Sequence, residues 1–524
     1  MSRAVRLNQL LSQVAAEVVI EAAGALEGPR IRSLEYDSRR VCPGALFFAV
    51  SGQRTDGHLY LDQAVQRGAA AVASERRPPQ GFPLPWLRVA DVRKAMALLS
   101  DSFFGQASKR VQLVGITGTN GKTTTAHLIH SILNRQSPAL MIGTVNTMIG
   151  DRPRPSQLTT PEAVEVQRTL AEAEQAGCRW GAIEVSSHAL HRLRVFSCRF
   201  PVGVFTNLTQ DHLDYHSTFE EYFQAKRLLF DLDYNPAMRW AVVCGDDRFA
   251  ARIRPQGARQ VIRFGLSAGN DVFPVSFDTS VAGSRMDLSF RGRRLKLKSR
   301  LAGQHNILNL MAAAAAASAL GLDDEAVRDG IEALKTVPGR FERVEADHPA
   351  TIFLDYAHTP DALENVLKLC RRLAPRRIIS LFGCGGDRDR AKRPLMGALS
   401  TRLADFSIIT SDNPRSEPPE LIVAEIQNGV PNGCSNFEAV IDRRQAIARA
   451  LEIAGPEDIL LLAGKGHERT QEIAGKKHPF NEREIILQAI EGRNQESGIR
   501  NQEEGDMGRS QESGVRNQEE RDRK

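Results

Sequence analysis

Short apolar runs that end in Gly, Asp, Ser or His recur along this chain, and most are followed by a stretch with helical spacing. VQLVGIT (111–117), WGAIEVS (180–186), VGVFTNL (202–208) and WAVVCGD (240–246) form one series. TIFLDYAH (351–358), RIISLFG (377–383), DFSIITSD (405–412) and ILLLAGKG (459–466) form a second. Continuous apolar runs of this length read as strands buried on both faces, the pattern of parallel sheets flanked by helices. In such sheets the chemistry collects at the strand ends. An earlier segment, 31–107, mixes ALFFAV and AAAVAS with the Pro-rich bend RRPPQGFPLPW and reads as a smaller α/β domain. The expected organisation is therefore 1–108, 109–337 and 338–490, with VPGRFE (337–342) punctuating the last boundary.

Residues 491–524 break the pattern. GRNQESGIRNQEE is followed by GRSQESGVRNQEE, identical at 11 of 13 positions, and Ile499, Met507 and Val515 are the only appreciably apolar residues there. Too little apolar surface is available to offset the entropy of ordering, so a disordered tail is expected.

Composition narrows the class. The chain has 524 residues, 42% hydrophobic and 25% charged, with a net charge of +6 and its Lys and Arg scattered rather than striped. That is a globular, multidomain composition with little support for nucleic-acid binding. The seven cysteines (Cys42, Cys178, Cys198, Cys244, Cys370, Cys384, Cys434) show no C-x-x-C spacing, so neither a disulfide framework nor a zinc site is indicated. The first residues lack the apolar core of an export signal, and LMAAAAAASAL (310–320) is about half a membrane span. A cytoplasmic protein without a membrane partner is expected.

The strongest chemical signal is GTNGKTT, Gly118 to Thr124, between an apolar strand and a helical pattern. Glycines let backbone N–H groups approach phosphate oxygens, Lys122 neutralises their charge, and Thr123 can place its hydroxyl on Mg²⁺. Position 116 is Ile, so the upstream glycine is one place out of register for the strict P-loop pattern. Two strand-end clusters offer metal-holding groups: Glu184 with Ser186, Ser187 and His188, and Asp211, His212, Asp214 and His216. Taken alone, each is equally a capping or turn cluster. Lys226 reads by itself as a surface lysine laid along an apolar helix, and Asp412-Asn413-Pro414-Arg415 as a turn.

Taken together, GTNGKTT, LTTP (158–161), EVSSHAL (184–190), TNLTQDHLDYH (206–216), AKRLLF (225–230), GQHNILN (303–309), GRFE (339–342) and DYAHTPDAL (355–363) resemble the Mur ligases in order and spacing. YDSRRVCPGALFFAVSGQRTDG (36–57) is similar to the uridine-nucleotide domain of that family. The resemblance covers about residues 31–485. It implies a three-domain α/β architecture with a central P-loop-type ATPase domain and a Rossmann-like C-terminal domain. It also implies ATP-dependent joining of an amine to a carboxylate through an acyl phosphate. CGGDRDRAKRPLM (384–396), SDNPRSE (411–417) and GKGHE (464–468) resemble the members that add 2,6-diaminopimelate. The implied partners are UDP-N-acetylmuramoyl-L-alanyl-D-glutamate and meso-2,6-diaminopimelate, and a monomer is expected.

The site residues implied by the resemblance fall into overlapping groups. ATP is held by Gly118, Thr119, Asn120, Gly121, Lys122, Thr123 and Thr124, with Asn306, Arg340, Asp355 and His358 near adenine and ribose. Thr123, Glu184 and His212 hold magnesium. Lys226 matches a carbamylated lysine of the family; an ammonium about 4 Å from the metal would be repelled by ~1 kcal/mol or more, whereas a carbamate supplies an anionic oxygen. Lys122, Glu184, His212 and Lys226 form the implied catalytic set. For the acceptor, Ser33, Gln53, Arg54 and Thr55 match uridine-nucleotide positions, and Thr159, Thr160, Ser186 and Arg194 match muramoyl-peptide positions. For the amino acid, Arg388, Asp412, Asn413, Pro414, Arg415, Gly464 and Glu468 match, with Arg415 reading the second carboxylate through two parallel hydrogen bonds and Glu468 accepting from the ammonium.

Overall fold

The computed structural model describes residues 4–492 apart from 13, 15–17, 53–54, 210–214, 254–259 and 374–375. The tail expectation falls largely on 493–524, outside the described residues. The chain divides into two compact units, one ending at Lys335 and the other beginning at Thr336. The first unit holds both of the earlier expected domains, each with its own sheet.

The N-terminal sheet has five strands in the order Val19–Ala23, Trp86–Val89, Ala69–Ser74, Ala45–Phe48 and Ser33–Glu35. All neighbours are parallel except Val19–Ala23, which runs antiparallel to Trp86–Val89. The apolar runs ALFF and AAAVAS are its buried interior.

The larger sheet of the first unit has eleven strands. Its parallel centre runs Ala139–Ile142, Trp180–Glu184, Gln112–Thr117, Val202–Phe205, Trp240–Cys244 and Gln260–Phe264. Antiparallel hairpins extend both edges. Helices Lys122–Gln136, Gln304–Ala319 and Asp324–Ala333 pack together on one face. Leu113, Leu140, Ile183 and Phe205 face a separate apolar core with Leu170, Leu190, Tyr222 and Phe223 from Ala163–Gln175, Ser187–His191 and Phe219–Arg227. The run Ala312–Ala317 is wholly buried, which explains an Ala-rich helix: small side chains let it lie between the sheet and its neighbouring helices. Among the described residues no helix is long and apolar enough to cross a membrane.

Register decides where the chemistry lies. Glu184 stands beside Ile116, and Phe205 beside Thr117, so the strands carrying the Gly-rich loop, Glu184 and Thr206 end at one edge of the sheet. The strand Gln112–Thr117 lies between strands reached in opposite directions, the switch point at which open parallel sheets open a crevice.

The second unit has a six-stranded sheet in the order Glu342–Val344, Thr351–Asp355, Ile459–Ala463, Ile378–Phe382, Phe406–Ile409 and Phe437–Ala439. Only the first of these strands is antiparallel to its neighbour. Asp355, Gly383, Asp412 and Gly464 follow or end these strands at their carboxyl side.

Candidate active site

In the first unit the Gly-rich loop wraps the start of helix Lys122–Gln136. Gly118 has φ 149° and Gly121 φ 85°. A Cβ on Gly118 would stand 1.9 Å from Thr206 Oγ1, and one on Gly121 would stand 2.4 Å from Asn309 Oδ1, so both positions exclude side chains sterically. Thr119 N donates to the Asn207 carbonyl at 2.9 Å and Asn120 N to Asn207 Oδ1 at 2.9 Å, fixing the loop to the end of the neighbouring strand. Lys122 Nζ folds back onto the Gly118 and Thr119 carbonyls at 2.9 and 2.8 Å. Thr124 is buried in the same first turn. A helix N-terminus preceded by a glycine turn presents unpaired backbone donors and a positive dipole end, the requirements for holding phosphate.

Glu184 is fully buried at the loop's edge. Its Oε2 accepts from Thr123 Oγ1 at 2.9 Å and Thr144 Oγ1 at 3.0 Å, and its Oε1 accepts from Thr144 N at 2.8 Å. The pairing of Thr123 with Glu184, both expected to hold magnesium, is thus direct. These oxygens are the donor type a hard divalent cation prefers. His212 lies outside the described residues, as do Asp211 and Asp214; among the described residues no group of three or more His, Cys, Asp or Glu is placed to hold a metal. His216 is buried with its Nε2 3.0 Å from Ser187 Oγ.

Lys226 departs from the surface reading that its sequence alone allows. It is 1% exposed, its Nζ donates to the Gly118 carbonyl at 2.7 Å, and it lies 4.4 Å from the centre of the Tyr222 ring. Helix Phe219–Arg227, capped by Thr218, delivers this side chain to the Gly-rich loop.

Thr159 Oγ1 lies 3.1 Å from Thr144 Oγ1, which brings LTTP to the Glu184 cluster. Thr160 Oγ1 donates to the Glu184 carbonyl at 2.7 Å and accepts from Ser186 N at 3.2 Å. Ser186 caps the short helix Ser187–His191. Arg194 donates to the Thr160 carbonyl at 2.9 Å and pairs with Glu162 at 2.7 Å. Asn306 donates to the Ala302 carbonyl and accepts from Asn309 Nδ2. In the N-terminal sheet Ser33 Oγ lies 3.3 Å from Cys42 Sγ, and Thr55 is exposed with its Oγ1 3.4 Å from Tyr60 OH. Gln53 and Arg54 lie outside the described residues.

The second unit gathers two clusters of its own. Asp355 Oδ2 accepts from Phe341 N at 2.7 Å and Oδ1 from Ala357 N at 2.8 Å; burial raises its pKa against the opposing pull of Arg340. Arg340 stacks over Tyr356 at 5.2 Å, and Tyr356 lies 4.7 Å from His358. Burial pushes the Tyr356 phenol up to about 12 from 10.

The other cluster joins three strand ends. Asn413 Nδ2 donates to Glu468 Oε2 at 2.7 Å, and the buried Lys465 ammonium donates to Asn413 Oδ1 at 3.1 Å and Glu468 Oε2 at 3.0 Å. Arg415 has φ 54°, a left-handed conformation that a turn of Asx-Pro type followed by a non-glycine residue adopts only under constraint. Its N donates to the Glu472 carbonyl and its Nη1 to the Gly386 carbonyl at 2.7 Å. A Cβ on Gly385 would stand 2.8 Å from Arg415 Nη1 and 3.7 Å from Arg388 Cγ, so this glycine leaves room for both guanidinium-bearing side chains. Arg388 itself is exposed, and Pro414 is buried. Gly464, φ 115°, lies where a Cβ would come within 2.6 Å of Asp412 Oδ2, a buried oxygen with no hydrogen-bond partner. A carboxylate oxygen held buried and unpaired is an acceptor for an incoming ammonium.

Thr144, Asn309, Tyr356 and Lys465 belong to these clusters and escape the sequence reading. Gly143-Thr144 after the apolar strand Ala139–Ile142 repeats the strand-end signal, and Asn309 is the last polar residue before the apolar run Leu310–Ala317.

Three family models match the chain in order: Mur ligase family, catalytic domain, at 30–104; Mur ligase middle domain, at 116–317; and Mur ligase, glutamate ligase domain, at 339–466. The chain belongs to the Mur ligase family. Among similar proteins is the UDP-N-acetylmuramoyl-L-alanyl-D-glutamate–2,6-diaminopimelate ligase of Geobacter metallireducens, 45% identical over 492 residues, spanning 90% of this chain and 96% of that protein. The ligase of the same name from Geobacillus thermodenitrificans is 43% identical over 470 residues, spanning 89% and 96%. A solved structure of a UDP-N-acetylmuramoyl-L-alanyl-D-glutamate–2,6-diaminopimelate ligase superposes with TM-score 0.67 at 32% identity, covering 94% of this chain and all of that one.

Proposed function

We propose that this chain is the ligase that adds meso-2,6-diaminopimelate to the D-Glu γ-carboxylate of UDP-N-acetylmuramoyl-L-alanyl-D-glutamate, with ATP cleaved to ADP and phosphate, in the cytoplasm as a monomer. The observation that carries it is the Glu184 carboxylate accepting the Thr123 hydroxyl at the start of the phosphate-loop helix, 2.9 Å away. The 45% identity to a relative of that name over nearly the whole chain supports the substrate assignment.

A carboxylate is a poor electrophile. One γ-carboxylate oxygen attacks the γ-phosphorus of ATP, ADP leaves, and an acyl phosphate results. The amine of diaminopimelate, having lost its ammonium proton, attacks the acyl carbon; the tetrahedral adduct expels phosphate and sheds a second proton, leaving the amide. Both steps build negative charge, so positioning and electrostatics dominate. Gly118 to Thr124 cradle the phosphates, and Lys122 turns from the Gly118 and Thr119 carbonyls to meet them. Magnesium, when bound, offsets phosphate charge; Thr123, Glu184, His212 and a carbamate on Lys226 are the residues to hold it. A carbamate keeps one N–H for the Gly118 carbonyl while presenting oxygens elsewhere. Asn306, Arg340, Asp355 and His358 serve adenine and ribose. Ser33, Gln53, Arg54 and Thr55 hold the uridine nucleotide, and Thr159, Thr160, Ser186 and Arg194 the muramoyl peptide. Arg388, Asp412, Asn413, Pro414, Arg415, Gly464 and Glu468 take the amino acid. Mass spectrometry of the UDP-linked product tests this: it must carry one diaminopimelate residue on the D-Glu side chain, and an unchanged dipeptide would refute the reading.

A further inference from the structure

Arg443 is buried (1% exposed) at the start of helix Arg443–Ile453, which Asp442 caps. Its guanidinium reaches two strand ends at once. Nη2 donates to the Ala463 carbonyl at 2.9 Å and Nη1 to the Ser411 carbonyl at 3.3 Å. Nε donates to Glu482 Oε1 at 2.8 Å, and both partners of that pair are fully buried as side chains. Ser411 and Ala463 each immediately precede one of the amino-acid loops, Asp412–Arg415 and Gly464–Glu468. Their strands are not neighbours: Ile378–Phe382 stands between them in the sheet. No ladder hydrogen bond therefore joins the two loops directly, and one planar five-donor group reaches both.

We propose that Arg443 is a positioning residue that sets the separation of the Asp412–Arg415 and Gly464–Glu468 loops, and through it the fit of the incoming diamino-dicarboxylate. The proposal rests on the function given above. Farther out, Asn413 to Glu468 and Lys465 to Asn413 tie the same loops together, and Gln471 Nε2, from the strand Thr470–Ile473, donates to the Asp412 carbonyl at 2.8 Å. Arg443 ties them at their base. A lysine there keeps a positive charge beside Glu482 but lacks the fork that meets both carbonyls.

The test is steady-state kinetics of Arg443→Lys and Arg443→Gln in the full chain, with each substrate varied in turn. The expected result is a KM for diaminopimelate raised by about ten-fold or more, because small misplacements of binding groups are costly. The KM for the UDP-linked dipeptide, whose proposed contacts all lie in the first unit, stays within about two-fold, and discrimination against lysine narrows. Unchanged diaminopimelate KM in folded variants of an active wild type would overturn the proposal. So would loss of the folded state in both variants, which would make Arg443 a residue of stability alone. A wild type that turns over without preferring diaminopimelate would instead overturn the functional reading on which the proposal rests.

Discussion

Lys226 Nζ donates to the Gly118 carbonyl at 2.7 Å, tying the end of helix Phe219–Arg227 to the first residue of the Gly-rich loop. A lysine buried to this degree beside the loop proposed to hold phosphate is placed to act on the charge there. Lys226→Ala is expected to abolish ligation while leaving the fold intact, and bicarbonate in wild type, or short carboxylates in the variant, to raise activity. Product formation in the presence and absence of acetate or formate measures it; full activity in the Ala variant would remove Lys226 from the mechanism.

Glu184 receives three hydrogen bonds, from Thr123 Oγ1, Thr144 Oγ1 and Thr144 N. Glu184→Gln keeps the shape and removes the charge. A fall in kcat on the order of 100-fold is expected, with a raised requirement for Mg²⁺. Titrating activity against Mg²⁺ in both proteins checks the direction.

Gly118 admits no side chain, since a Cβ would stand 1.9 Å from Thr206 Oγ1 at φ 149°. Gly118→Ala must displace the loop or the strand end. A stability loss of about 2 kcal/mol or more is expected, together with loss of ATP use, read by thermal unfolding and by ADP release.

Arg415→Ala removes the forked donor proposed to read the second carboxylate. Diaminopimelate use should fall by about 100-fold in kcat/KM, corresponding to two charge-assisted hydrogen bonds, with the KM for the UDP-linked dipeptide unchanged. Equal kinetics in the variant would mean that Arg415 is only a turn residue.

Burial pushes the Asp101 carboxyl up to about 6 from 3.8, against the lowering pull of Lys109 and Arg199. The folded protein therefore holds a proton that the unfolded chain releases between these values. The stability linked to Asp101 is complete below 3.8 and is lost as pH rises to about 6. Asp101→Asn should raise the Tm at pH 8 more than at pH 4.5, and a gain independent of pH would contradict this.

The α/β strand pattern and the Gly118–Thr124 loop were legible because apolar strands and a glycine turn are local signals. Glu184 was legible as a strand-end acid, but its pairing with Thr144 was not, since residues 40 positions apart meet only through the register of neighbouring strands. Lys226 reads locally as a surface lysine, and only the family resemblance drew it to the site; its burial depends on how helix Phe219–Arg227 meets the loop. Arg443 had no local signal at all. Its partners, Ser411, Ala463 and Glu482, come from three separate segments.

Phosphate release from ATP, measured with UDP-N-acetylmuramoyl-L-alanyl-D-glutamate and either meso-diaminopimelate, L-lysine or no amino acid, tests the central claim most directly. Release that requires the dipeptide and strongly prefers diaminopimelate is the expected result. Preference for lysine, or no release from folded protein supplied with Mg²⁺ and bicarbonate, would contradict it.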